Sequence, residues 1–516
     1  MSDLKWWETA IIYQIYPRSF QDSNADGIGD LHGITSRLDY ISNLGVDAIW
    51  ISPFFKSPQK DFGYDVSDYF NIAPEYGDLK DLEMLISKAH ALDLKVMLDI
   101  VAAHCSDQHP YFEESRQSKD NLKADWYHWV DAMPDGTVPT NWLSFFGGNA
   151  WSWEPRRQQY YLHNFLASQP NFNFSNPEVL DYFEEIARFW FEFGVDGFRL
   201  DAVHTINADK PPFKNNLPNP EFSPGPLPLD QQPFFRQLHD CAQLNQPSIQ
   251  AFCSRMRQVS DSYDDRFLMG EVDGDNDDAM KVSKTFTQTG RLHATYNFDL
   301  LEWDGLSIEE MKEVIDNAVS TFNGTGKLCF AFSNHDVPRS ISRQVAPLNV
   351  KREDSKDLQL LLLKLESCLI GSTCIYQGEE LGFEDVTDIP VEKMQDPWGI
   401  EFAYTFPGRD TCRTPMVWDA TSPNGGFTEA NQTWLPIGKQ HYKRDALGEV
   451  KKEDSIYNSF SRFLAWRKKQ PAFMRSNTMT KLLGSDRQIV FDRISEQQTL
   501  RCCFDFDTLT ASFQEI

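Results

Sequence analysis

Apolar residues gather in short runs at residues 11–16, 48–52, 95–101, 197–200, 267–270, 294–297, 328–332 and 373–376. Each run is continuously apolar rather than alternating, so the runs read as parallel strands buried on both faces, not as half-exposed hairpins. Between them the pattern changes to helical spacing. Residues 78–94 place Leu82, Leu85, Ile86 and Ala89 on one face. Residues 177–193 follow the start signal Ser175-Asn176-Pro177 and carry Val179, Tyr182, Phe183, Ile186, Phe189, Trp190 and Phe193 at the same period. Gly194 then supplies a stop. An aromatic stripe at this spacing is read as core.

Strand and helix alternating in this way predict an α/β fold, a (β/α)8 TIM barrel. A doubly wound sheet is set aside because no GxGxxG follows the first strand. Three connections are too long to be simple loops. Residues 105–173 follow the third strand, are rich in Trp, Tyr and Phe, and are read as a small inserted domain. Residues 203–261 follow the fourth and include a proline-rich stretch at 211–233. Residues 378–453 follow the last. The tail alternates at Gln488-Ile489-Val490-Phe491 and Arg501-Cys502-Cys503-Phe504, which predicts a C-terminal antiparallel β domain. The resulting division is a barrel over 1–104 and 174–470, an inserted domain over 105–173 and a β domain over 471–516.

Charge narrows the function. Lys and Arg total 49 against 76 Asp and Glu, a net charge of −27. Such a surface repels nucleic acid and anionic membranes, whose binding needs a basic footprint, and suits a neutral small-molecule substrate. No run of 18 apolar residues occurs, so no membrane-spanning helix is expected. The first 20 residues lack a basic stretch followed by an apolar one, so the expected location is cytoplasmic. The nine cysteines are scattered, without a CxxC pair, and predict free thiols rather than disulfides or a zinc site.

In a parallel barrel the C-terminal strand ends face the active site. There the third strand ends in Asp99-Ile100-Val101-Ala102-Ala103-His104 and the fourth reads Asp196-Gly197-Phe198-Arg199-Leu200-Asp201. The fifth ends in Gly270-Glu271 and the seventh in Ser333-Asn334-His335-Asp336. Carboxylates, histidines and an arginine converging on one mouth are what glycoside cleavage requires. One carboxylate attacks the anomeric carbon, and a second, protonated, donates to the leaving oxygen. Asp201 and Asp336 beside Glu271 would raise its pKa. Arg199, two residues before Asp201, shares its side of the strand, and its cation would keep Asp201 ionised.

These four segments resemble, in order and position, the signature regions of the α-amylase family, glycoside hydrolase family 13. The likeness extends over nearly the whole chain. Residues 13–20 (YQIYPRSF), Gly63-Tyr64-Asp65, residues 376–382 (YQGEELG) and Arg413-Thr414-Pro415-Met416 resemble its α-glucosidase and oligo-1,6-glucosidase branch. The resemblance implies an exo-acting, retaining α-glucosidase with transglucosylation as a side activity. It implies Asp201 as nucleophile, Glu271 as acid/base and Asp336 as the residue gripping the sugar hydroxyls. Arg199, His104 and His335 would line the glucose subsite. Asp61, Tyr64 and Arg413 would close it, through an Asp61–Arg413 ion pair that blocks longer chains. Phe165 and Phe298 would wall the sugar, with Phe146 a further candidate. In this branch Val after the nucleophile accompanies α-1,6 cleavage, whereas Ala or Thr accompanies α-1,4. Ala202 therefore implies an α-1,4 preference.

Asp22-Ser23-Asn24-Ala25-Asp26-Gly27-Ile28-Gly29-Asp30 resembles the start of a calcium loop without the twelfth-position Glu. Similar loops in the family imply a structural Ca2+ or Mg2+ held by Asp22, Asn24, Asp26, the Ile28 carbonyl and Asp30. No organic cofactor is implied, and the chain is expected to act as a monomer or weak homodimer. Ala103 stands where the family usually has Asn or Ser, and Asn171 after Gln169-Pro170 where it usually has Asp.

Overall fold

The computed structural model describes residues 4–516 other than 208, 220–237, 240–241, 275–278, 402–407 and 482–483. All eight apolar runs are strands: β1 Ile11–Ile15, β2 Ala48–Ile51, β3 Lys95–Val101, β4 Gly197–Asp201, β5 Phe267–Val272, β6 Ala294–Asn297, β7 Leu328–Phe330 and β8 Ser372–Tyr376. They close into a parallel barrel in which each strand pairs with the next and β8 returns to β1. Every residue of β1, β2, β4, β5, β6, β7 and β8 is buried. Burial on both faces is the physical reason their sequences do not alternate.

The helices pack outside. Leu79–Ala91 is capped by Asp78, whose side chain accepts from Lys80 N and Asp81 N, and it buries Leu82, Leu85, Ile86 and Ala89 as its spacing predicts. Pro177–Phe193 is capped by Asn176 and ends at Gly194 in the left-handed conformation. Its buried stripe includes Phe191 and Ala187, while Phe189 and Phe193 are only half-buried. The face is thus rotated slightly from the one read in sequence, because Phe191 stacks on Phe198 of β4 with ring centroids 4.4 Å apart.

The connection after β3 holds the helix Pro110–Ser115 and a three-stranded sheet of Trp129–Val130, Gln159–Leu162 and Trp151–Glu154. Part of the proline-rich stretch at 211–233 lies outside the described residues. The tail forms a four-stranded antiparallel sheet, in which Gln488–Ile494 pairs with Thr499–Asp505 in the alternating register that its sequence predicts. Sequence pattern gave no notice of a small sheet after β2, Phe55–Lys56 with Asp68–Ile72, which brackets Asp61 and Tyr64. Among the described residues no helix is long and apolar enough to cross a membrane, and the eight described cysteines are free thiols; Cys241 lies outside the described residues.

Candidate active site

Arg199 sits at the centre of the barrel mouth. Its Nη1 donates to both oxygens of Asp99 at 2.9 Å and to Asp201 Oδ1 at 2.5 Å. Its Nη2 lies 2.6 Å from Glu271 Oε1. Strand pairing produces this arrangement, since β4 lies between β3 and β5 with Asp99 opposite Arg199 and Asp201 at the strand end. Gly270, just before Glu271, leaves space for Leu292, whose Cδ1 would stand 2.4 Å from a Cβ there.

One guanidinium therefore serves three buried carboxylates. Burial pushes Asp201 up to about 7 against the pull of Arg199, and Asp99 likewise to about 7. Burial also pushes Glu271 up to about 7, opposed by Arg199 and helped by Asp201 and Asp336. The expected direction for Glu271 is met. Arg199 draws Asp201 toward its ionised form, as expected, and burial outweighs that pull. The backbone N–H of Ala202 completes the set by donating to Glu271 Oε2 at 2.6 Å.

Asp336, on the loop after β7, is the most open of the three carboxylates assigned to catalysis. Its side chain is 27% exposed, against 8% for Asp201 and Glu271. Its Oδ1 accepts from Arg413 Nη2 at 2.8 Å and Arg409 Nη1 at 3.1 Å, and its Oδ2 lies 3.1 Å from His335 Nε2. Burial pushes Asp336 up, but His335, Arg409 and Arg413 pull harder and hold it well below the usual carboxylate range. Burial in turn holds His335 well below its usual range. Gln14 Nε2 lies 2.7 Å from His335 Nδ1 and Tyr64 Oη 2.5 Å from Nε2, which assigns the proton to Nε2.

One expected pair is corrected. Asp61 is bound by Arg409 (Nη2 to Oδ1, 2.9 Å), not by Arg413. Arg413 instead donates through Nε to the His335 carbonyl at 2.7 Å and through Nη2 to Asp336. Its position is fixed by the 3-10 turn Asp410–Cys412, which sets the two arginines on either side of Asp336. Arg409 is in turn held by Asp396, whose carboxylate accepts from its N (2.7 Å), Nε and Nη2 (2.8 Å). Arg409 also lies over the Phe146 ring, 5.0 Å from its centroid. Sequence reasoning missed Arg409 and Asp396. A signal existed for Arg409, which lies four residues before Arg413, whereas Asp396 stands in no recognisable motif.

The remaining predicted residues take these places. Tyr64 follows Gly63, whose φ of +104° and close approach to the Pro53 carbonyl (2.5 Å from where a Cβ would lie) admit only glycine. Tyr64 Oη also donates to Asp99 at 3.3 Å. His104 Nε2 lies 3.1 Å from the Tyr64 carbonyl, and its buried Nδ1 has no protein partner. Gln169 links His104 to Asp61, with Nε2 3.1 Å and 3.0 Å away respectively, so the inserted segment braces the same end of the site. Phe165 packs near His104 at 5.0 Å and near Phe146 at 5.8 Å. Phe298, just after β6, is half-buried against Tyr296.

The 22–30 loop lies apart from this cluster in the hydrogen-bond network. Asp22 accepts from the N–H groups of Asn24, Ala25 and Gly27, Asn24 from Asp26 N, Asp26 from Ile28 N, and Asp30 from Ser23 N and Gly33 N. Its hard oxygen donors fit Ca2+ or Mg2+ chemically. The side chains are turned to loop amides, and among the described residues no group of three or more His, Cys, Asp or Glu converges as a metal cluster.

Comparison with known proteins shows what the chain resembles as a whole. The family described as "Alpha amylase, catalytic domain" matches residues 14–476. A probable α-glucosidase of Rhizobium meliloti (strain 1021) is 46% identical over 93% of this chain and 87% of its own length. An oligo-1,6-glucosidase of Heyndrickxia coagulans is 33% identical over 99% of this chain and 94% of its own. Among solved structures, an α-glucosyl transfer enzyme, XgtA, superposes with a TM-score of 0.90 at 42% identity, covering 98% of this chain and 91% of that one.

Proposed function

The chain belongs to the α-amylase family of glycoside hydrolases, and on that premise we propose that it is a retaining, exo-acting α-glucosidase. The observation that carries the reading is the sharing of Arg199 between Asp201 and Glu271 at adjacent strand ends. Asp201 attacks the anomeric carbon of the terminal glucose while protonated Glu271 gives its proton to the leaving oxygen. The product is a glucosyl ester on Asp201. Glu271, now ionised, takes a proton from water or from an acceptor hydroxyl, whose oxygen displaces Asp201. Water gives glucose; a sugar or alcohol gives a transfer product. The acid/base needs a pKa near the working pH, and burial of Glu271 raises its pKa in that direction.

The exo reading is supported by the closed end of the site. Asp61, Arg409, Asp336 and Arg413 form a continuous ionic wall, suited to the hydroxyls of a terminal glucose and closed to a longer chain. The buried, unpartnered His104 Nδ1 and Arg413 Nη1 are polar atoms left for those hydroxyls. Ala202 supports preference for α-1,4 over α-1,6 linkages, since a methyl group leaves more room beside Asp201 than Val. The similarity to a glucosyl transfer enzyme supports a transfer side activity. The reading includes a structural Ca2+ or Mg2+ in the 22–30 loop and a cytoplasmic monomer or weak dimer.

Glucose release from maltose and isomaltose in parallel, with Asp201→Asn as control, tests this function. Maltose is expected to be the better substrate, with trisaccharides appearing at high maltose and all activity lost in the variant. Tenfold faster cleavage of isomaltose would overturn the linkage reading.

A further inference from the structure

Ala202 follows Asp201 directly and has φ 39° and ψ 40°, the left-handed region that residues with a Cβ rarely occupy. The turn that holds it there is tied down. The Ala202 carbonyl accepts from Thr205 N at 2.9 Å and from Thr205 Oγ1 at 2.8 Å, at the head of the 3-10 turn Val203–Thr205. This conformation turns the Ala202 N–H off the barrel ladder and onto Glu271 Oε2, 2.6 Å away.

We infer that Ala202 is a positioning residue: its left-handed backbone aims its amide at Glu271 and fixes that carboxyl beside Asp201. The inference rests on the reading of Glu271 as acid/base. Two donors hold the Glu271 carboxylate, Arg199 Nη2 at Oε1 and Ala202 N at Oε2. The other groups facing it are Asp201 from β4, Asp336 from the loop after β7, Asp99 through Arg199, and His204, whose Nδ1 lies 3.3 Å from the Glu271 carbonyl. The three carboxylates favour a protonated Glu271, and the Ala202 amide favours the ionised form needed when Glu271 acts as base. Residue 202 thus acts on the reaction through its backbone as well as through the size of its side chain.

The direct test removes the N–H and keeps the methyl. Ala202 is replaced by its α-hydroxy analogue, lactate, through nonsense suppression, and the pH profile of kcat/KM on maltose is recorded beside Ala202→Gly and Glu271→Gln. In the ester variant the basic limb is expected to move up by about one unit, the shift that follows from losing a hydrogen bond to a charged group. The glycine variant keeps the N–H and tolerates positive φ, so its limb is expected to stay at the wild-type position. An unmoved limb in the ester, or a glycine limb shifted as far as the ester's, overturns the inference. Should the ester chain not fold, Thr205→Val releases one of the two bonds on the Ala202 carbonyl. A smaller upward shift is expected there, and none would count against the idea. If Glu271→Gln turns over maltose like the wild type, the acid/base reading itself fails; if it is inactive while the ester limb is unmoved, only the positioning role fails.

Discussion

At the scale of single residues, the site is governed by how few cations serve how many carboxylates. Arg199 is divided among Asp99, Asp201 and Glu271, whereas Asp336 has two guanidiniums. Burial pushes the first three upward against that single cation, whereas the cations around Asp336 hold it below the usual carboxylate range. Asp396 has no bond to any group assigned to catalysis, yet it holds Arg409 through its backbone and its guanidinium. Asp396→Asn is expected to lower kcat/KM on maltose by about 10²-fold, mainly through KM, because Arg409 loses the partner that sets its angle toward Asp61 and Asp336. Steady-state kinetics with a melting curve would check this; wild-type KM in a folded variant would contradict it. The carboxylates were legible in the sequence because strand ends announce themselves by apolar runs. The partner of Asp61 was not, because Arg409 and Arg413 lie one short turn apart and only the turn geometry decides which one reaches it.

At the scale of elements, the barrel strands could be read because they are buried on both faces, and their ends differ from the sequence reading by at most two residues. The helix Pro177–Phe193 shows what pattern alone leaves open. Its aromatics are so frequent that more than one face fits the spacing, and packing of Phe191 on Phe198 selects the face. The two-residue strand Phe55–Lys56 was invisible, being too short for any period. The 22–30 loop is the element whose proposed role is most open to measurement. Its side-chain oxygens accept from loop amides, and the proposed cation would be held by Asp22, Asn24, Asp26, the Ile28 carbonyl and Asp30. Purified protein is expected to carry about one equivalent of Ca2+ or Mg2+ and to melt several degrees lower after removal by EDTA. A metal-free preparation whose melting temperature does not respond to added Ca2+ or Mg2+ would contradict the proposal.

At the scale of the molecule, separate parts of the chain serve one pocket. The barrel supplies Asp201, Glu271 and Arg199; the segment after β3 supplies Gln169, Phe165 and Phe146; the excursion after β8 supplies Asp396, Arg409 and Arg413. The terminal sheet is fastened to the opposite end of the barrel. There Asn477 accepts from Gly371 N at 2.8 Å and donates to the Glu8 carbonyl at 3.0 Å. Long insertions beyond the C-terminal strand ends are therefore the parts that bring Gln169, Phe165, Phe146, Asp396, Arg409 and Arg413 to the barrel mouth. The central claim is that Asp201 forms a covalent bond to the sugar. Incubation with 5-fluoro-α-glucosyl fluoride, followed by peptide mass spectrometry, tests this most directly. The account predicts one fluoroglucosyl unit on the peptide containing Asp201 and none in Asp201→Asn; an adduct on another carboxylate, or rapid turnover with inverted product and no adduct, would contradict it.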